Sequence, residues 1–250
     1  MRFLKTQWCC AIALLVLSTC ASWAGAAEQK WKAISPQELK QLISSQKKPI
    51  LINTMSVLEC RDHSILGSLC IPSEEFEKKI TNLKIEKDAL LVLYCESEGS
   101  FRSCEAADAA MRKGYTNVMA LKGGIPAWKQ AGYEMASTER IPRTAIPSVK
   151  PPVLKQWLVE KRDFLIVDIR PEKAFQQGHI EGSVNIPMYQ LHLRYGNLPL
   201  NRPLILVDNR GFRSSLAGSY LTLKGFDVKM LFGGMAKWED MVAKEKQTQK

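Results

Sequence analysis

Cys95 ends the apolar run ALLVLYC, and Arg102 and Ser103 follow it at the head of a helix-forming stretch, RSCEAADAAMRKG. A cysteine between a strand and a helix is placed for nucleophilic chemistry. The intervening loop can turn several backbone N–H groups inward, and the helix N-terminus adds about half a positive charge. Both favour the thiolate, which is the attacking species. The same cradle would hold a persulfide after the sulfur has accepted a second sulfur atom. The loop itself reads Glu96, Ser97, Glu98, Gly99, Ser100 and Phe101. Glu96 and Glu98 bring two negative charges to the nucleophile, which oppose its ionisation and repel an anionic donor. Arg102 offsets one of them at most.

Positioning such a cysteine takes a sheet, and the chain encodes that sheet twice. PILINTMSVLECRDHSILGSLCIP, from Pro49, matches FLIVDIRPEKAFQQGHIEGSVNIP, from Phe164. Asn53 pairs with Asp168, Gly67 with Gly182 and Pro72 with Pro187, each 115 positions apart. Later, LKGGIPAW matches LFGGMAKW, with Trp128 and Trp238 110 apart, so the copies are collinear with small length changes. In each copy, short apolar runs (PILINT, ALLVLYC, FLIVDI, PLILVD) read as buried strands. They alternate with helical patterns such as SSLAGSYLTLKG, which stops at Gly225. The fold class is therefore α/β: two tandem domains, each a mostly parallel sheet with helices on both faces, binding ligands outside the carboxyl ends of the strands. We place the first domain at 33–135 and the second at 153–245. The stretch 136–152, with Pro142, Pro147, Pro151 and Pro152, reads as an extended linker.

The run from the strand through Cys95, Gly99, Arg102 and Ser103 to EAADAAMRKGYTNVMALKGGIPAW resembles the rhodanese (thiosulfate sulfurtransferase) superfamily. VDIRPEKAFQQGHIEGSVNIP in the second copy is similar to its N-terminal signature, and the resemblance spans about Ile34 to Val242. It implies a double displacement in which a cysteine takes sulfane sulfur from a small donor and passes it to a thiol or other thiophilic acceptor, a protein acceptor included. It implies no metal and no organic cofactor. The second copy keeps the loop frame in LVDNRGFRS, with Arg213 and Ser214, but Asp208 stands where the cysteine would be. A carboxylate cannot carry a persulfide, so that site should be inert. The first copy departs too. Its loop is two residues longer, and Asn53, Met55 and Ser64 stand where the signature has aspartate, arginine and histidine. Poor turnover of thiosulfate, and a different donor, are the expectation.

MRFLKTQ, the apolar run WCCAIALLVLSTC and the small residues ASWAGAA have the layout of a secretory signal peptide, with cleavage after Ala26. A second reading takes LSTC as a lipoprotein box that leaves Cys20 lipidated. Lipidation would then be the protein's attachment to a membrane. Either way the chain is expected outside the cytoplasm, in the periplasm or cell envelope. Of seven cysteines, Cys9, Cys10 and Cys20 fall in the leader; Cys60, Cys70, Cys95 and Cys104 remain, and an oxidising compartment permits disulfides among them. The formal charge is +10, from 35 basic and 25 acidic residues, and removing Arg2 and Lys5 with the leader leaves +8. The basic residues do not cluster outside the tail AKEKQTQK, so nucleic-acid binding is not expected.

The other conspicuous residues have structural readings. Cys60 and Cys70 match Phe175 and Asn185 and read as packing residues, and Cys104 reads as core. Asp168 with Arg170, and His179, read as structural hydrogen-bonding groups; Trp128 and Trp238 pack beside Gly-Gly turns. Two functional alternatives stand beside sulfur transfer. One is a non-catalytic binding or scaffold protein on the same fold. The other is a cysteine phosphatase or arsenate reductase, which the acidic loop and its six-residue spacing to Arg102 disfavour.

Overall fold

The computed structural model describes residues 31–96 and 102–248. The leader, with Cys9, Cys10 and Cys20, and the loop residues Ser97, Glu98, Gly99, Ser100 and Phe101 lie outside the described residues.

Two five-stranded parallel sheets repeat one topology. The first contains β1 (Lys32–Ile34), β2 (Ile50–Asn53), β3 (Leu69–Cys70), β4 (Leu91–Tyr94) and β5 (Val118–Leu121), in the spatial order β1-β5-β4-β2-β3. The second contains β6 (Ser148–Val149), β7 (Leu165–Asp168), β8 (Val184–Asn185), β9 (Leu204–Val207) and β10 (Val228–Leu231), in the order β6-β10-β9-β7-β8. The central strands β4 and β9 are buried along their whole length, as strands covered by helices on both faces must be. Each fully buried leucine there contributes about 1.5–3 kcal/mol relative to exposure. The four apolar runs picked out above are β2, β4, β7 and β9.

The helices of the first domain are α1 (Pro36–Ser44), α2 (Val57–Asp62), α3 (Phe76–Asn82), α4 (Arg102–Arg112) and α5 (Gly124–Gln130). Those of the second are α6 (Pro151–Val159), α7 (Glu172–Gln177), α8 (Leu191–Arg194), α9 (Phe212–Leu223) and α10 (Gly234–Thr248). Both α1 and α2 start on capping boxes, Ser35 with Glu38 and Ser56 with Glu59. Helix α4 buries an alanine face, Ala106, Ala107, Ala109 and Ala110, against the sheet. Helix α9 ends just before Gly225, whose φ of +89° suits the glycine expected there.

The stretch between the sheets differs from the linker expected over 136–152. Ser148–Val149 is strand β6 of the second sheet, and Pro151 and Pro152 open α6, where the missing N–H groups cost nothing. Upstream, Ile141 and Ile146 are buried in the core of the second domain rather than solvated. That core also contains Leu58, from α2 of the first domain.

Cys60 and Cys70 also depart from expectation. They are joined as a disulfide, Cα–Cα 6.0 Å, that ties α2 to β3. Their counterparts do other work. Phe175 stacks on His179, centroids 4.0 Å apart, and Asn185 Nδ2 donates to the carbonyls of Asp168 and Arg170, each at 2.9 Å. Phe175 and Asn185 hold their segment by a ring stack and by hydrogen bonds, so their matching to the cysteines hid the covalent pairing.

Candidate active site

Cys95 lies immediately after β4, at the carboxyl end of the sheet, and is 1% exposed. Its sulfur faces the start of α4: Cys95 Sγ and Ser103 Oγ are 3.2 Å apart. The N–H of Ile125, in the first turn of α5, donates to the Cys95 carbonyl at 3.0 Å. Three elements therefore hold this residue, which packs in a core cluster with Tyr94, Leu121, Ile125 and Trp128 while its sulfur lies beside the start of α4. Ser103 is buried beside it.

The second copy shows what this frame is built to hold. Asp208 follows β9 in the place of Cys95, and Met235 N–H donates to its carbonyl at 2.8 Å just as Ile125 does to Cys95. Its buried carboxylate accepts three backbone N–H bonds from the loop and helix start. Gly211 donates to Oδ1, while Arg213 and Ser214 donate to Oδ2 at 2.6 and 2.9 Å. The frame is a ring of inward-turned amides, and in this copy the protein's own carboxylate fills it. Gly234 allows the close packing: a Cβ there would lie 2.5 Å from the Asp208 carbonyl oxygen, at a φ of +60° that already favours glycine.

Arg102 and Arg213, the loop arginines of the two copies, meet on one carboxylate. Arg102 Nη1 and Arg213 Nη2 each donate to Glu59 Oε2 at 3.2 Å. The same oxygen accepts from Ser56 N–H at 2.9 Å and Ser56 Oγ at 2.6 Å, closing the capping box of α2. Burial alone would raise the Glu59 carboxyl; Arg213, Arg102 and the Ser56 bonds reverse this and hold it far below the carboxylate range. Burial would likewise lower Arg102, but Glu59 first and then the charges of Cys95 and Glu74 keep it above its ordinary value. Glu59 was not among the expected site residues. The signal for it was local, the Ser-x-x-Glu spacing of Ser56 and Glu59 at a helix start.

Glu96 does not act as an unopposed charge. His63 Nε2 contacts Glu96 Oε2 at 2.8 Å, and His63 Nδ1 contacts Asp62 Oδ2 at 2.8 Å. Burial pulls His63 down, but the two carboxylates outweigh it and raise its pKa. Asp62 in turn accepts from the Ile141 N–H at 2.9 Å and from Arg143 Nη2 at 2.7 Å. A cleft of about 330 Å³ opens at this seam, lined by Asp62, His63, Glu96, Lys129, Arg140 and Arg143 among others.

The structure thus brings Cys95 and Ser103 together, and ties Arg102 to Glu59 and Glu96 to His63. Asp208, Arg213 and Ser214 form a second, filled frame. Cys104 is half-exposed on α4 rather than part of the core. Asp168 and Arg170 make a buried bidentate pair, with contacts of 2.7 to 3.0 Å, and His179 Nδ1 contacts the Phe175 carbonyl at 2.9 Å, the structural roles expected of them.

A sequence model of the family described as Rhodanese-like domain matches residues 35–131 and 150–241. The thiosulfate sulfurtransferase GlpE of Shewanella oneidensis is 37% identical over 84 residues, covering 33% of this chain and 83% of that protein. A sulfurtransferase of Allochromatium vinosum is 34% identical over 86 residues, 34% of this chain and 80% of that one. Among solved structures, the thiosulfate sulfurtransferase of Pseudomonas aeruginosa aligns with a TM-score of 0.42 at 22% identity, over 83% of this chain and 44% of that one.

Proposed function

The chain belongs to the rhodanese-like family, and from that premise we propose that it is a sulfurtransferase whose first domain carries sulfane sulfur on Cys95. In the first step the Cys95 thiolate attacks the outer sulfur of an anionic donor such as thiosulfate. The donor's sulfur–sulfur bond breaks, sulfite leaves with the electron pair, and a Cys95 persulfide anion remains. In the second step an acceptor thiolate attacks the outer sulfur of that persulfide. The acceptor leaves as a persulfide and the Cys95 thiolate is regenerated, so no external oxidant or reductant is consumed.

One observation carries this reading. Cys95 follows the central strand of its sheet where Asp208 follows the other, its carbonyl takes the equivalent N–H, and its sulfur lies 3.2 Å from the Ser103 hydroxyl at the start of α4; in the second copy that place is held by a carboxylate with three N–H donors. A frame that stabilises a fixed carboxylate supports an anionic sulfur by the same electrostatics. Engagement of Glu96 by His63 gives one of the two charges counted against an anionic donor a hydrogen-bond partner.

The burial of Cys95 favours a second reading, a binding module without turnover. Purified protein incubated with thiosulfate and analysed by mass spectrometry separates the two. We expect a gain of one sulfur atom on the Cys95 peptide, lost on adding a thiol and absent from Cys95→Ser; no gain on Cys95 with any sulfane donor would leave the binding reading. Export, by cleavage after Ala26 or with a lipid on Cys20, belongs to the same proposal. The Cys60–Cys70 disulfide supports it, since such bonds persist in oxidising compartments.

A further inference from the structure

The Cys60–Cys70 disulfide is not sealed in the core. Cys70 is only partly buried, and both cysteines line an open cleft of about 280 Å³ beside the turn at Gly67. Val57, Ile65, Leu66 and Ala136 give the cleft apolar walls. Arg61, the only charged residue lining it among the described residues, is paired with Glu139 at 3.1 Å. Leu66 is 78% exposed, and Leu69, next to Cys70, is 40% exposed. A single exposed leucine is ordinary; two of them flanking a disulfide in an open cleft present that bond to an apolar visitor. The reduced state has its place prepared as well. Cys60 Sγ lies 3.6 Å and Cys70 Sγ 3.9 Å from the Met55 carbonyl oxygen, to which either thiol could donate. Helix α2 would keep its other ties: Leu58 in the second core, Glu59 on the two arginines, and Asp62 on the Ile141 N–H. Opening the bond frees β3 from the helix without freeing the helix.

We propose that this disulfide is a second reactive site, a thiol–disulfide exchange site reduced by a dithiol partner protein whose thiols are flanked by apolar side chains. The partner's thiolate attacks the sulfur of Cys70, the more exposed cysteine. The Cys60–Cys70 bond breaks, Cys60 leaves with the electron pair and takes a proton from water, and a mixed disulfide joins Cys70 to the partner. Cys60 stands beside that new bond and expels a monothiol again, so a second thiol on the partner is required. Its thiolate attacks the partner's own bonded sulfur, and Cys70 leaves as a thiolate and is protonated. The partner is oxidised to a disulfide, and Cys60 and Cys70 gain its two electrons. The site is distinct from Cys95 and does not rest on the sulfur-carrier reading.

The test follows reduction of the folded protein by a reduced hexapeptide, Leu-Cys-Ala-Ala-Cys-Leu, and by dithiothreitol. Samples are quenched in excess N-ethylmaleimide and mapped by peptide mass, so that Cys95 and Cys104 are read separately. Below the unfolding transition both rates should be independent of urea, because the bond is reached without global opening. With the monothiol mercaptoethanol, the captured adduct should sit on Cys70 with Cys60 alkylated. In Leu66→Ser, an exposed position whose change leaves the core intact, the peptide's rate should fall roughly fivefold for the lost apolar contact, while that of dithiothreitol holds. The reduced protein should keep its native near-ultraviolet circular dichroism. Rates that climb with urea in step with unfolding would overturn the proposal, as would an adduct on Cys60, a peptide rate indifferent to Leu66, or a native spectrum lost on reduction. None of these results bears on sulfur loading at Cys95, so the two readings fail separately.

Discussion

Cys95 and Asp208 occupy one position in two copies of one frame, and the comparison tells what the backbone around them is for. In the second copy three N–H groups at a helix start, from Gly211, Arg213 and Ser214, are directed at the Asp208 carboxylate; in the first the Cys95 sulfur lies 3.2 Å from the Ser103 hydroxyl at the corresponding helix start. Asp208→Ala should therefore destabilise the second domain by about 1–3 kcal/mol, because it strands buried donors. Urea unfolding measures this, and a neutral result would mean that water serves the frame as well. Glu59→Gln should cost more, about 3–5 kcal/mol, since two partly buried guanidinium groups lose their shared counter-charge. Its pH dependence has a definite sign. The Glu59 carboxyl is lowered in the folded state, so its contribution is complete above the ordinary value of 4.5 and fades only as the pH falls through the lowered value. The stability gap between the two proteins should stay constant near neutrality and close in strong acid. The repeat made Cys95, Asp208, Arg213 and Ser214 legible as residues. It could not reveal Glu59, whose second arginine arrives from the other domain and whose own counterpart is an alanine.

Helix α2 is six residues long, and nearly every one has a structural task. Leu58 enters the core of the second domain, Glu59 gathers the two arginines, Cys60 is bonded to Cys70, and Asp62 takes the N–H of Ile141. So short a helix has little stability of its own and depends on such ties. In the second copy the equivalent segment is held by the Asp168–Arg170 ion pair together with the Phe175–His179 stack and the Asn185 hydrogen bonds. In the first copy Asn53 Nδ2 donates to Ser64 Oγ at 3.0 Å and Met55 is buried, and the disulfide takes over the clasp. The apparent erosion of the signature is thus an exchange of non-covalent for covalent fastening. Replacing both cysteines by serine should cost about 2–3 kcal/mol for a loop of this size. Thermal unfolding with and without reductant checks the figure; if reduction leaves the melting temperature unchanged, α2 is fastened by its other contacts. Strands and helices were readable because their apolar runs recur at a nearly constant offset. The short strands β1, β3, β6 and β8 were not, since two or three residues carry too little periodicity to stand out.

The whole molecule is less divided than its repeated sequence suggests. Proline-rich composition pointed to a stiff, separate linker, but Ile141 and Ile146 lie in the second domain's core, and the Ile141 N–H and Arg143 are both bound by Asp62 of the first. Composition reports the backbone stiffness of such a stretch and not what its isoleucines touch. His63 extends the same chain of contacts to Glu96, next to Cys95. Because its pKa is raised in the folded state, its contribution is complete below the ordinary histidine value of 6.5 and is lost as the pH climbs through the raised value. His63→Gln should accordingly narrow its stability deficit on going from mildly acidic to alkaline buffer, which thermal melts across that range would measure. A stronger consequence concerns cooperativity. Leu58 is 1% exposed although it belongs to one domain and is surrounded by the core of the other. Neither domain can unfold without exposing apolar surface of its neighbour and parting Glu59 from Arg213. Calorimetry should therefore show a single transition, and Leu58→Ala should lower stability by about 2–5 kcal/mol, as truncation at a filled core site does. Because the cavity opens in the second domain, hydrogen exchange in β7 and β9 should speed up although the mutation lies in α2. Two resolved transitions in the unaltered protein, or exchange changes confined to the first domain, would mean that the seam is only a contact between independent units.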